Sequence, residues 1–159
     1  YYARSVDSVN HVSQNYAKGI WGNIKHLIPD GFRICGENLF AKHSIYYDNL
    51  EDYFLVFNIW ENEKCLNFND TISVCQQLNI KHVPVLYIGK FNIKIIETIF
   101  NSLDFNKQEG VVIRNADEFN FGDFKYNVVK CVRKNHVTTT NHWKNQKLIT
   151  NQLLLDLTV

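Results

Sequence analysis

One stretch of the sequence, "YFLVFNIW" at residues 53–60, limits the possible folds more than any other. All of its residues except Asn58 are apolar or aromatic, and the run has the length of a single β-strand. Side chains of a strand alternate between its two faces, so a strand that is apolar throughout needs cover on both. We therefore expect this stretch to be a buried strand of a sheet.

Helical and extended patterns alternate irregularly around this strand. Apolar residues recur every three or four positions from Val12 to Leu27, which predicts a helix that ends before Pro29. A second helix is expected after a cap at Asn69 or Asp70. Further helices are predicted at 91–103 and 141–157, strands at 1–5, 32–47, 83–89, 110–114 and 126–134, and a turn at Gly122. The predicted class is α+β, with antiparallel-rich sheets flanked by helices.

The composition predicts the cellular compartment of the protein but identifies no binding partner. The chain has 159 residues, 45% of them hydrophobic, which suffices for the core of one domain. Seventeen basic residues nearly balance 16 acidic ones, so a nucleic-acid contact would need a local basic patch. The four widely spaced cysteines predict a reduced, cytoplasmic protein. No apolar run approaches the ~20 residues of a membrane span, and no signal peptide is apparent.

Cationic residues in predicted strands are the first candidates for a functional site. The chain has seven glycines but no Gly-x-Gly-x-x-Gly or Gly-x-x-x-x-Gly-Lys loop, so a bound phosphate must be held mainly by side chains. Arg4, Arg114 and Lys130 lie in or beside predicted strands. Lys130 is flanked by valines, where an unpaired ammonium would be costly, so it faces either a cleft or solvent.

Two glutamates pose the corresponding question with the opposite charge. Glu37 and Glu109 each adjoin a glycine, which removes a side chain where a ligand could approach the backbone. Taken alone, each Glu-Gly or Gly-Glu pair is more typical of a turn that carries a solvated carboxylate. Their order along the chain, with an aromatic strand between them, is the more informative observation.

That order consists of an arginine in "ARS", a glutamate in "CGENLF", an aromatic in "YFLVFNIW", a glutamate in "EGVVIR" and a lysine in "VVKCVR". It resembles the covalent nucleotidyltransferase superfamily and, within it, the ATP-dependent RNA ligases of phages and microbes. The resemblance covers most of the chain and implies a nucleotidyltransferase (ATP-grasp-like) adenylation domain. "VRKNHVTTTNHWKNQ" also resembles the continuation found in those ligases.

The resemblance implies a role for each matching residue. Arg4 would lie near the ribose and the RNA end, Glu37 would bind the ribose hydroxyls, and Phe57 would stack on adenine. Glu109 would help to place Mg²⁺, and Lys130 would hold the α-phosphate of ATP. Apart from the resemblance, five basic residues predict either a surface for the RNA backbone or, equally well, a solvated face: Lys42, Arg133, Lys134, Lys144 and Lys147.

Two departures from the family pattern remain. The family's nucleophilic lysine heads a Lys-x-Asp-Gly motif, which this sequence lacks; Lys107-Gln108-Glu109-Gly110 only resembles it in outline. Because the sequence also contains no methionine, residues 1–159 are expected to be part of an adenylation domain whose nucleophile lies upstream. Many relatives have a second lysine where Val132 stands, so either Arg133 supplies that charge through a shift in strand register or fewer cations hold the phosphate.

The sequence therefore predicts an ATP- and Mg²⁺-dependent RNA ligase that joins 5′-phosphate and 3′-hydroxyl ends through lysyl-AMP and AMP-RNA intermediates, as in RNA repair. A DNA ligase or a capping enzyme is an alternative in the same superfamily. A non-catalytic nucleotide- or RNA-binding protein is an alternative of another class. The sequence predicts no membrane contact and leaves the oligomeric state open.

Overall fold

The computed structural model describes residues 11–134 and 147–154. Within these residues the chain is an α+β protein whose strands pair mostly antiparallel, as predicted. None of the helices in the described part of the chain has the length and apolarity needed to cross a bilayer. The predicted strand at 1–5 lies outside the described residues.

The apolar stretch forms the central strand of the larger sheet, as its composition predicts. This strand, β2, pairs along its length with β1 on one edge, and with β3 and β4 on the other. A short β6 extends the sheet beyond β3, and β5 and β7 form a separate antiparallel pair. The strands are β1 (Phe32–Asn38), β2 (Phe54–Glu61), β3 (Lys64–Cys65), β4 (Lys81–His82), β5 (Gly110–Arg114), β6 (Phe119–Asn120) and β7 (Val128–Val132).

Two helices cover one face of the larger sheet. The helices are α1 (Asn15–Ile24), α2 (Phe68–Gln77), α3 (Ile93–Ser102) and α4 (Phe124–Asn127), with short 3₁₀ turns at Val12–Gln14, Lys25–Leu27 and Phe121–Asp123. Ile20 and Ile24 of α1 and Cys75 of α2 pack with Val56 and Ile59 of β2, both of which are fully buried. The periodicity from Val12 to Leu27 is thus confirmed as a helix with 3₁₀ ends.

The opposite face of the larger sheet packs on the smaller one. Trp60, Cys65 and Phe119 form a buried cluster against which Cys35 of β1 and Val128 of β7 pack. The strand "YFLVFNIW" is therefore covered by helices on one side and by the β5–β7 pair on the other. Its continuous apolar character follows from this double burial.

Arg114 at the end of β5 links the two sheets through hydrogen bonds. Its guanidinium donates to the Phe57 carbonyl (3.4 Å), to Asn58 Oδ1 and to the Leu66 carbonyl (3.0 Å). It also lies 5.5 Å from the centre of the Phe119 ring. One side chain of the smaller sheet thus holds two strands of the larger one.

Several predicted elements differ in the structure. The helix cap lies at Asn67, whose side chain accepts a hydrogen bond from the Asp70 N–H at 2.9 Å. Gly122 lies in a 3₁₀ turn that leads into α4. The predicted strand at 83–89 is wrong, because β4 ends at His82. Pro84 has no N–H to donate, and the next part of the edge of β2 already pairs with β3.

The predicted C-terminal helix is also wrong within residues 147–154, which run along the loop at 39–53. Isolated bridges join Ala41 to Thr150 and Leu50 to Leu153. Asn151, only 3% exposed, accepts a hydrogen bond from the Tyr47 N–H (3.0 Å) and donates through Nδ2 to the Leu39 carbonyl (2.8 Å). The loop therefore depends for its shape on a residue about a hundred positions later in the chain.

Replacing Asn151 by Leu should lower the free energy of unfolding by about 2 kcal/mol or more. The change leaves the buried Tyr47 N–H and Leu39 carbonyl without their partner, and each such loss costs about 1 to 3 kcal/mol. Chemical denaturation measures the effect. The matched control is Gln152→Ala, because the Gln152 side chain accepts only a long bond of 3.4 Å from the exposed Tyr46 hydroxyl. Equal loss in the two variants would contradict this role of Asn151.

Candidate functional site

The two sheets face each other where Val128 of the small sheet packs on the buried cluster of the large one, and we call the space between their facing sides the cleft. Strand register places Lys130 on the same face of the small sheet as Val128, and Glu37 on the same face of the large sheet as Cys35. Val128 and Cys35 both pack against the cluster of Trp60, Cys65 and Phe119. Glu37 and Lys130, each two residues further along, are exposed. An acidic and a cationic side chain therefore lie on the facing sides of the two sheets, one on each sheet.

Tyr47 marks the rim of this cleft. Burial first, and then the negative charges of Glu109 and Glu37, raise the pKa of Tyr47 to about 12, while the positive charge of Arg133 lowers it. These three charged residues thus lie close enough to Tyr47 to act on its hydroxyl. Glu37 and Glu109, 72 positions apart in sequence, converge on one place.

Glu109 stands at the beginning of β5, on this rim. Its carboxylate accepts a hydrogen bond from Ser44 Oγ, and its carbonyl accepts one from the Arg133 N–H at 3.0 Å. Gly110 follows with φ +157°, and a Cβ there would lie 2.7 Å from Val132 Cα and overlap the Cys131 carbonyl oxygen. Gly110 is thus required for the close approach of β7, rather than for the approach of a ligand. The same holds for Gly36, whose free side is filled by the Phe54 ring and the Leu55 carbonyl.

Phe57 occupies an irregular position in β2. Cys35 pairs with Asn58 and Gly36 with Val56, so Phe57 is the additional residue of a β-bulge. Its side chain is 40% exposed, whereas Val56 and Asn58 on either side are buried. The bulge therefore turns one large aromatic ring outward from a strand that is otherwise buried.

Three further residues were predicted to contact the nucleotide or the RNA: Arg4, Lys42 and Arg133. Arg4 lies outside the described residues. Lys42 is half-buried, and its N–H donates to the Ile149 carbonyl at 2.8 Å. Arg133 is also half-buried, and its Nη1 donates to the Phe105 carbonyl at 2.9 Å. Its Nε is the one buried side-chain polar atom that lacks a partner among the described residues.

A shift in register that would bring Arg133 into the position of Val132 is absent from the described strands. β5 and β7 pair without a bulge from Gly110–Val132 to Arg114–Val128. Lys130 and Arg133 are three residues apart, so the alternation of side chains assigns them to opposite faces. Lys130 faces the cleft, and Arg133 belongs to the rim with Tyr47 and Glu109.

Oxygen ligands at this rim suit a hard divalent cation. Mg²⁺ is usually held by one or two carboxylates together with substrate phosphates, rather than by a cage of protein ligands. Glu37 and Glu109 supply two carboxylates, and the charges of both act on Tyr47. No group of three or more His, Cys, Asp or Glu side chains that could hold a metal occurs among residues 11–134 and 147–154.

Sequence reasoning missed Ser44 and Tyr47, which contact or surround Glu109. Both lie in the loop at 39–53, which has no regular secondary structure over most of its length. The sequence pattern gives no signal for them, since their positions depend on the distant Asn151.

Tyr47→Phe should reduce the loss of stability between pH 10 and 12. Because the pKa of Tyr47 is raised from 10.0 to about 12, the unfolded chain releases this proton before the folded protein does. The wild type therefore loses stability as the pH rises through this window, and the variant lacks that contribution. Denaturant unfolding at pH 9 to 12 measures the difference, with Tyr126→Phe as the matched control, because Tyr126 is 77% exposed. Parallel curves for wild type and Tyr47→Phe would contradict burial of this hydroxyl at the rim.

Comparisons with known proteins add one finding. Residues 1–132 match the family model described as RNA ligase. The comparisons with curated proteins and with solved structures gave no significant match. The matched region includes the central strand, both walls of the cleft and the rim residue Glu109. Membership implies RNA substrates and the use of ATP in general terms. The chain belongs to the RNA ligase family.

Proposed function

We propose that the cleft between the two sheets binds ATP and that the protein joins RNA ends through an adenylylated intermediate. The observation that supports this most is that Glu37 and Lys130 lie on the facing sides of the two sheets, while the charges of Glu37 and Glu109 both act on Tyr47. A nucleoside triphosphate needs an aromatic surface for its base, acceptors for its ribose hydroxyls, and cations for its phosphates. The exposed ring of Phe57, the two carboxylates and Lys130 are groups of these kinds.

The nucleoside would be bound by Phe57 and Glu37. A base that stacks on the Phe57 ring gains about 1 to 3 kcal/mol. The Glu37 carboxylate accepts hydrogen bonds from ribose hydroxyls, which are donors. Both residues lie on the large sheet, on the strand pair β1 and β2.

The phosphates would be held from the opposite wall. Lys130 on the small sheet would contact the α-phosphate and stabilise the negative charge that develops there during nucleotidyl transfer. Glu109, oriented by Ser44, would hold Mg²⁺, which supplies further positive charge when bound. Arg133 would add a positive charge at the same rim, favourable for a phosphate of ATP or of the RNA. Arg4 and Lys42 complete the proposed RNA contacts.

The chemical steps use a lysine nucleophile. Its uncharged Nζ attacks the α-phosphorus of ATP, a phosphorus–nitrogen bond forms, and pyrophosphate leaves. The AMP group then passes to the 5′-phosphate of an RNA end, and a 3′-hydroxyl displaces AMP to form the phosphodiester. The sequence contains no Lys-x-Asp-Gly motif, so we propose that the nucleophile precedes Tyr1 in the full-length protein.

Glu109→Ala and Lys130→Ala should each lower lysine adenylylation, or transfer of AMP to RNA, by about a hundredfold or more. Losing a charged contact to the reacting phosphate costs about 3 kcal/mol or more of transition-state stabilisation. Incubation of the full-length protein with labelled ATP and Mg²⁺, followed by acid treatment, measures the acid-labile lysine adduct. Labelled RNA with a 5′-phosphate measures the transfer step.

The matched controls are Glu118→Ala and Lys64→Ala, which break an exposed ion pair of 3.0 Å far from the cleft. Exposed ion pairs contribute about 0 to 1 kcal/mol to the free energy of unfolding, so lysine adenylylation and transfer of AMP to RNA should both continue in these variants. Lys107→Ala should also leave lysine adenylylation and AMP transfer intact, since Lys107 is not proposed as the nucleophile. Wild-type activity in the Glu109 and Lys130 variants would contradict the proposal. ATP binding without an adduct in the wild type would favour the non-catalytic alternative.

Phe57→Ala should weaken ATP binding by roughly 5- to 150-fold and RNA binding far less. The lost stacking of about 1 to 3 kcal/mol corresponds to this range. Titration of the full-length protein with ATP and, separately, with 5′-phosphorylated RNA measures the two affinities. The control is Phe91→Ala, because Phe91 is 75% exposed and outside the cleft. Equal loss for both ligands would assign Phe57 to the core instead.

A further inference from the structure

We propose that Arg114 is a positioning residue of the nucleotide site, which sets the orientation of Phe57 and couples it to the strand pair that carries Glu109 and Lys130. This inference rests on the proposed function, because it concerns the same cleft. The sequence singles out Arg114 as a cation at the end of a strand but gives it no role. Its contacts suggest one.

The guanidinium of Arg114 is held by acceptors from three separate segments. Nη1 donates to the Phe57 carbonyl and to Asn58 Oδ1, Nη2 donates to the Leu66 carbonyl, and Nε donates to the carbonyl of the adjacent Asn115. A guanidinium presents its donors in a rigid planar fork, so several acceptors fix its position. Conversely, the hydrogen bonds of the guanidinium hold the backbone at Phe57 and Asn58 in place.

The bulge in β2 explains why this backbone depends on Arg114. In the described register Phe57 has no partner residue on β1, so the ladder with β1 does not hold it directly. The outward direction of its ring follows from the backbone at the bulge. Asn58 next to it is only 5% exposed, and its Oδ1 accepts from Arg114. Loss of the guanidinium would leave a buried acceptor and release the bulge.

The same side chain relates the two walls of the cleft. Arg114 pairs with Val128, and Val112 pairs with Lys130, so Arg114 and Lys130 share the inner face of the small sheet. Glu109 precedes the same strand as Arg114. Any sliding of the small sheet along β2 would change the distance between the Phe57 ring and Lys130. Arg114 opposes that movement and thereby fixes the spacing between the adenine surface and the phosphate cation.

The test is a double-mutant cycle on the KM for ATP in lysine adenylylation by the full-length protein. Arg114→Met should raise this KM by about tenfold in the wild-type background. In the Phe57→Ala background, Arg114→Met should raise the KM for ATP less than about twofold, because the ring that Arg114 orients is already absent. Arg114→Lys keeps the charge but cannot contact all the acceptors, so it should have an intermediate effect.

The matched control is Arg33→Met. Arg33 also packs on aromatic rings between the sheets, with its guanidinium carbon 5.3 Å from the Trp60 ring and 5.9 Å from the Phe121 ring. None of the contacts found among the described residues joins it to Phe57 or Asn58. Arg33→Met should lower the melting temperature but leave the KM for ATP unchanged.

Two results would overturn the role of Arg114. One is an equal rise in KM in both backgrounds; the other is a lower melting temperature with an unchanged KM. If Arg114→Met does not fold, Arg114→Lys supplies the same cycle. If the wild type forms no adduct, the proposed function fails. Hydrogen exchange of the backbone amides at 56–59, measured without ligand, then tests whether Arg114 holds the backbone at Phe57. Faster exchange in Arg114→Lys supports it, and unchanged exchange refutes it.

Discussion

The structure depends on the burial of one strand between two unlike layers. β2 is covered by α1 and α2 on one face and by the β5–β7 pair on the other. Burying its large apolar side chains contributes roughly 1.5 to 3 kcal/mol each. Any element that carries a functional residue is positioned relative to this strand.

The same constraint produces the candidate site. Cys35 and Val128, one from each sheet, pack against the cluster of Trp60, Cys65 and Phe119, and the residues two positions further along, Glu37 and Lys130, are exposed. Polar side chains are tolerated at exposed positions, because water or a ligand can satisfy them there. Glu37 and Lys130 occupy those positions, and the bulge at Phe57 adds an exposed ring. The proposed nucleotide site thus lies beside the packed cluster, on the facing sides of the same two sheets.

Much of this arrangement could be predicted from sequence, and the failures have identifiable physical causes. The central strand, the first helix and the β5–β7 pair follow from local patterns, since apolar spacing reports directly on burial. The order of Glu37, Phe57, Glu109 and Lys130 predicted a family that the match over residues 1–132 confirms. The roles of these residues stay predictions.

The predictions that were wrong concern segments whose structure depends on residues far away in the sequence. The apolar residues at 83–89 resemble a strand, but the edge they would need is shared with β3 and Pro84 lacks a donor. Residues 147–154 resemble part of a helix, but they bind the loop at 39–53 through Asn151 instead. Tyr47 of that loop binds Asn151 through its N–H, and Ser44 of the same loop binds Glu109. No local pattern contains such information, because the partners are about a hundred residues apart.

The most direct test of the account is an experimental structure of the full-length protein with AMP and Mg²⁺. The account predicts that the nucleotide lies between the two sheets, with its base against the Phe57 ring, its ribose at Glu37 and its phosphate at Lys130. A nucleotide bound elsewhere, with Glu37 and Lys130 both turned to solvent, would contradict it.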